Sequence, residues 1–175
     1  MKLSIVDLDK DRLSQTAQIW HAGWHEAHAA IMPAELAALR TIGNFTRRLE
    51  NGIETVRVGI RDDAVLGFCM TQSDELYQMY VSPGARGLGL AQALLADGEA
   101  RILAAGHASA WLACAVGNDR AARFYEKSGW KNAGVRSVDL DTSRGAFPMD
   151  VWRFEKKLSP AEKTVRRDDR ERSHP

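Results

Sequence analysis

Residues Met79–Leu95 read MYVSPGARGLGLAQALL, and this stretch decides the fold. An apolar, strand-like run ends at Val81, Ser82-Pro83-Gly84 stops it, and a helical pattern begins at Gly89. Three of the fourteen glycines (Gly84, Gly87 and Gly89) lie at this junction. The first N–H groups of a helix have no helical partner, and the helix dipole adds partial positive charge there. Glycines remove the Cβ atoms that would hold an anion away from the backbone. The segment therefore reads as a cradle for a phosphate or pyrophosphate, with a plain tight turn as the structural alternative. Spacing excludes two standard phosphate motifs. A P-loop needs Lys-Ser/Thr after its last glycine, where this chain has Leu90-Ala91, and a dinucleotide fingerprint needs a third glycine where Gln92 stands. What remains is Arg86-Gly87-Leu88-Gly89-Leu90-Ala91, an R-x-x-G-x-A pattern.

Outward from this loop, the elements alternate in type. Toward the N-terminus, Glu75–Val81, Ala64–Thr71 and Thr55–Arg61 read as strands, with Asp62-Asp63 as a hairpin turn. Leu3–Leu8 is a first strand. Leu13, Ala17, Trp20, Trp24, Ala27 and Ile31 fall at three/four spacing and predict a helix over Asp11–Ile31. Pro33 opens a short second helix, and a third covers Asn44–Glu50 before Asn51-Gly52. Toward the C-terminus, Gly89–Ala105 is a helix and Ala110–Val116 an uncharged, central strand. Asn118 caps a helix over Asp119–Lys127, which Gly129 closes. Strands near Lys131–Leu140 and Pro148–Lys157 end the pattern, with a loop over Asp141–Phe147. The sum is a mixed α/β sheet with helices on its faces.

A second segment, Asn118-Asp119-Arg120-Ala121-Ala122-Arg123-Phe124-Tyr125-Glu126-Lys127-Ser128-Gly129-Trp130, follows the strand AWLACAV. Together the two segments resemble the paired motifs of the GNAT N-acetyltransferase superfamily. The first is similar to its acetyl-CoA signature, a strand, a turn and Q/R-x-x-G-x-G/A opening a helix. The second is similar to its N-x-x-A-x-x-F-Y-x-x-x-G-F/W segment. Ala91 stands where many members have glycine, and the family admits both. The resemblance runs from about Leu3 to Leu158. It implies a single α/β domain over residues 1–158, with a mostly antiparallel sheet, splayed central strands and flanking helices. It also implies an acetyl-CoA-dependent N-acetyltransferase acting on a primary amine, of a small molecule or a peptide, by direct attack in a ternary complex. No metal is implied.

The resemblance also implies roles for residues. Met79, Tyr80 and Val81 hold the pantetheine arm, Met79 and Val81 through main-chain atoms, and Met79 is the oxyanion donor. Arg86, Gly87, Leu88, Gly89, Leu90 and Ala91 wrap the pyrophosphate. Arg86 reads as an added counter-charge or as a solvated turn arginine. Asn118 stands near the pantetheine arm or simply caps its helix. Tyr125 gives a proton to the departing thiolate or hydrogen-bonds it. An ammonium acceptor, pKa about 10, must lose a proton before it attacks. Glu75 is the candidate base, since some members use a strand glutamate at this offset, and a water relay is the alternative. Period-two alternation predicts that Glu75, Tyr77 and Met79 share one face. His21, His25 and His28 form a stripe on the first helix. It reads first as a polar face, second as acceptor-pocket lining and last as a metal site, because the HExxH pattern is not met.

Composition narrows the other classes. The chain has 175 residues, 24 Lys+Arg and 23 Asp+Glu, so its net charge of +1 argues against a nucleic-acid or anionic-membrane surface. No apolar run spans a bilayer, and the acidic N-terminal segment excludes a secretion signal. Cys69 and Cys114 lack CxxC spacing and read as buried thiols of a cytoplasmic protein. Residues 159–175 are a charged tail with five basic and four acidic side chains, expected to be flexible. Two rivals follow: a non-catalytic acyl-CoA-binding regulatory module, and an RNA-associated protein acting through the tail. The acceptor and the oligomeric state stay open, a homodimer being only what the resemblance suggests.

Overall fold

The computed structural model describes residues 2–160, so most of the expected tail lies outside the described residues. Among the described residues seven strands and five α-helices form: β1 (Ser4–Asp7), α1 (Leu13–His28), α2 (Ala34–Leu39), α3 (Ile42–Asn51), β2 (Val56–Arg61), β3 (Ala64–Gln72), β4 (Glu75–Val81), α4 (Leu90–Ala104), β5 (Ser109–Ala115), α5 (Asp119–Lys127), β6 (Lys131–Thr142) and β7 (Gly145–Lys157). They make one sheet in the order β1-β2-β3-β4-β5-β7-β6, antiparallel everywhere except between β4 and β5. No helix among the described residues is long and apolar enough to cross a membrane.

Local chemistry explains the connections. Asp62 and Asp63 both take positive φ, 53° and 64°, which closes β2 onto β3 in two residues. Thr41 accepts from the Asn44 N–H and starts α3, and Asn118 accepts from the Ala121 N–H and starts α5.

Two apolar clusters sandwich the sheet. On one side α4 and α5 bring Leu90, Leu94, Ile102, Tyr125 and Trp130 against Leu112 and Phe154. On the other, α1–α3 bring Trp20, Trp24, Leu36, Phe45 and Leu49 against Val58 and Phe68. Trp20, Phe45 and Phe68 are fully buried, with the Trp20 ring 4.8 Å from Phe45 and 5.3 Å from Phe68.

The feature that positions the site is the gap between β4 and β5. The two strands share one register pair, Glu75 with Trp111, and separate beyond it. Ser82 donates its N–H to Leu66. Antiparallel alternation then turns Tyr80 toward β3 and leaves the main-chain groups of Met79 and Val81 facing the gap. β4 is also bulged. Met70 pairs with Gln78 and Thr71 with Leu76, so Tyr77 is the extra residue. The expected single face for Glu75, Tyr77 and Met79 fails for this reason. Tyr77 and Tyr80 pack on the α1–α3 side, while Leu76, Met79 and Val81 pack on the α4 side.

The expected loop over Asp141–Phe147 is also revised. Asp141 pairs with Ala146 and Thr142 with Gly145, so only Ser143-Arg144 turn. Pro148 is tolerated inside β7 because β5 reaches only to Val151, leaving that side of Pro148 without a strand.

Close packing holds β4 in place. A Cβ on Gly67 would lie 2.8 Å from the Tyr80 carbonyl oxygen and 3.2 Å from Val81 Cα. Backbone cannot yield as a flexible side chain does. Gly67→Ala should therefore destabilise the fold by about 1–3 kcal/mol, read from urea unfolding midpoints.

Candidate active site

Two cavities meet at the β4–β5 gap. The first, about 560 Å³, lies between the end of β4, the glycine loop and α5. Of the residues singled out in the loop and strand, Met79, Tyr80, Val81, Arg86, Gly87, Gly89, Leu90 and Ala91 line it, and so do Asn118 and Tyr125. Leu88 does not. Its side chain is 48% exposed and its N–H donates to Ala85, so it offers the cavity neither group. Gly87 and Gly89 hold φ of +78° and +76°, a conformation that favours glycine, and added Cβ atoms there would meet nothing within 4 Å. Gly89 caps α4, whose first N–H groups belong to Leu90, Ala91 and Gln92, all cavity residues. The loop is thus open where α4 begins, and the first N–H groups of a helix have no helical partner.

Arg86 is not a free cation. It donates to both Glu26 oxygens at 2.8 and 2.7 Å, and Arg120 reaches the same carboxylate at 3.4 Å. These bonds, above all that from Arg86, hold the Glu26 pKa below its ordinary value. Arg120, Gln92 and Phe124 also line the cavity and were missed in the sequence. Arg120, two residues past the Asn118 cap, was the readable signal.

The second cavity, about 460 Å³, lies among α1, α3, β4, β5 and the β6–β7 hairpin. It shares Met79, Tyr80, Asn118 and Tyr125 with the first. Tyr125 is 9% exposed, and burial raises its pKa, so it is a protonated phenol throughout the neutral range. Asn118 lines both cavities while its side chain caps α5, so the cap does not take the residue out of the site.

Glu75 lines the second cavity where β4 leaves β5. Burial, with the Asp74 charge beside it, pushes its pKa up to about 7 despite the opposing pull of Arg153. A carboxyl at that value exchanges protons near neutrality. The histidine stripe divides. His28 is buried, lines this cavity and bonds through Nδ1 to the Trp24 carbonyl at 2.8 Å. The His21 and His25 rings lie 4.4 Å apart, tilted by 51°, and His25 Nε2 bonds the Arg40 carbonyl at 2.8 Å. Among the described residues no three His, Cys, Asp or Glu side chains cluster as a metal site. Cys69 and Cys114 are buried free thiols, and burial pushes both pKa values up to about 12. Neither is an activated nucleophile.

Comparison with known proteins agrees with this geometry. The model of the "Acetyltransferase (GNAT) family" matches residues 15–130. An uncharacterized N-acetyltransferase of Mycobacterium tuberculosis is 30% identical over 117 residues, spanning 64% of this chain and 72% of that protein. The structure of an N-acetyltransferase from Staphylococcus aureus Mu50 superposes with a TM-score of 0.70 at 20% identity, covering 91% of this chain and 100% of the other. That of yncA from Salmonella typhimurium, solved with its cofactor acetyl-CoA, gives 0.67 at 16% identity, covering 91% and 96%.

Proposed function

This chain belongs to the acetyltransferase (GNAT) family and is an acyltransferase, and from that premise we propose that it moves an acetyl group from acetyl-CoA to a primary amine, which attacks directly while both substrates are bound. The observation that carries the reading is the meeting of two cavities at the β4–β5 gap, with Met79 and Tyr125 in the wall of both. The open glycine cradle fits the pyrophosphate of acetyl-CoA. The free main-chain groups of Met79 and Val81 fit its amide-bearing arm as an added strand would.

When bound, acetyl-CoA supplies an activated thioester whose leaving group is a thiolate. The protein's own groups do the rest. Glu75 accepts a proton from the acceptor ammonium, directly or through water. The Met79 N–H donates to the acyl oxygen as charge gathers there, a contribution of about 3 kcal/mol. The Tyr125 hydroxyl donates to the departing sulfur. Arg86, Gly87, Gly89, Leu90 and Ala91 hold the pyrophosphate, and Asn118 keeps the start of α5 against the arm. The two cysteines, buried and with raised pKa values, are not activated to form an acyl-enzyme, which favours direct attack.

Calorimetric titration with acetyl-CoA tests the cofactor assignment. Gly89→Val places a β-branched side chain at φ +76°, which forces the loop to move and fills the approach to the α4 N-terminus. Acetyl-CoA affinity should fall at least about tenfold, whereas Gly84→Ala, at an open position without positive φ, should change it little. Equal affinity in the wild type and Gly89→Val would remove the phosphate cradle.

A further inference from the structure

The second cavity holds two guanidinium groups that no carboxylate answers. Arg40 lines it and is 3% exposed. Its Nη1 donates to Asn44 Oδ1 at 3.3 Å and to the Asp141 carbonyl at 3.0 Å, both neutral acceptors, and its Nε is buried without a partner. Arg48 lines the same cavity, with its guanidinium 4.4 Å over the Trp20 ring and its Nη2 donating to the Tyr77 hydroxyl at 2.6 Å. Among the described residues neither arginine makes an ion pair. Burial and the Arg48 charge both press the Arg40 pKa down, against a lesser opposing pull from the exposed Asp141. A buried cation beside a half-buried one, without a counter-ion, is costly, and an anion entering the cavity relieves both. Glu75 lines the same cavity, but the charges acting on it are Asp74 and Arg153. Among the described residues Glu75 makes no ion pair with either arginine.

We propose that the acceptor is an amino acid, its amine toward Glu75 and Tyr125 and its carboxylate on Arg40 and Arg48. This deepens the acetyl-transfer reading and rests on it. The cavity volume of about 460 Å³ suits a small molecule, and Trp24 and Trp111 in its wall suit an apolar or aromatic side chain. The transfer forms the amide N–C bond and breaks the thioester C–S bond. Of the two protons the ammonium loses, one goes through Glu75 to solvent and the other to the leaving thiolate.

The test uses the wild-type protein, saturating acetyl-CoA and release of CoA thiol. The acceptors are the common L-amino acids, their α-amides and the matching decarboxylated amines. At least one amino acid should exceed its amide and its amine in kcat/KM by about tenfold or more. In Arg40→Met and Arg48→Met its KM should rise on the order of 30-fold, with acetyl-CoA affinity unchanged and the preference for acid over amide lost. Equal or better use of amides and amines would overturn the proposal. So would acetyl-CoA binding with no amino acid acetylated. Acetyl-CoA affinity is measured on the same preparation: failure to bind it would remove the acetyl-transfer reading itself, and the acceptor proposal with it. The wild-type comparison stands even if a variant fails to fold.

Discussion

Tyr125→Phe should lower kcat by ~10²–10⁴-fold, the usual worth of a positioned proton donor, while KM for acetyl-CoA moves little. The change deletes one oxygen and keeps the ring. That ring is packed near Phe124, Trp130 and Phe154, at centroid distances of 5.4, 6.2 and 5.9 Å, so the fold should hold. Tyr125 lines both cavities, and burial raises its pKa and keeps the hydroxyl protonated across the neutral range. It therefore has a proton to give, and donation to the leaving sulfur is the role proposed for it. Single-turnover kinetics separate the outcomes. A slowed acetyl-transfer step assigns the hydroxyl to chemistry, and a near-native step restricts Tyr125 to shaping the cavity wall.

Glu75→Gln carries the second large effect and a pH signature. In the fold the Glu75 carboxyl is raised to about 7 from an ordinary 4.5, chiefly by desolvation. As the base it must be ionised, so kcat/KM should climb as pH rises through about 7, below a second rise that the acceptor ammonium adds at higher pH. The glutamine variant should lose that limb, keep a separate limb at higher pH from the acceptor ammonium, and turn over ~10²-fold or more slowly. Stability gives an independent reading. A raised carboxyl pKa means that the folded chain holds a proton the unfolded chain has released between about 4.5 and 7. Stability contributed by Glu75 is then full below 4.5 and lost as pH rises through 7, and Glu75→Gln should remove that slope. Wild-type rate and pH profile in the variant would hand the proton to a water relay.

What the sequence made legible is what local chemistry encodes. The bounds of β4 and α5 match their reading because each has its own stop signal: Ser82-Pro83-Gly84 after one, Gly129 after the other. The glycine loop was legible because its spacing is set by backbone conformation. The Tyr77 bulge was not, since neither glycine nor proline marks it and it exists only as a mismatch with β3. The acceptor cavity was harder still. Arg40 meets Asp141 across a separation of 101 residues, and the sequence predicts a loop over Asp141–Phe147 where the β6–β7 pairing in fact continues. Arg86 looked like a lone loop cation because Glu26, its partner, is sixty residues away on α1.

The parting of β4 and β5 after a single register pair turns the sheet into a partition with one window. In the proposed reading the cofactor occupies the cavity on the loop side and the acceptor the one on the hairpin side, so neither need lie across the path of the other. A kinetic scheme without compulsory order follows. Double-reciprocal plots should intersect, not run parallel. Free CoA should compete with acetyl-CoA yet act as a noncompetitive inhibitor against the amine, and the acetylated product should leave without waiting for CoA to go first.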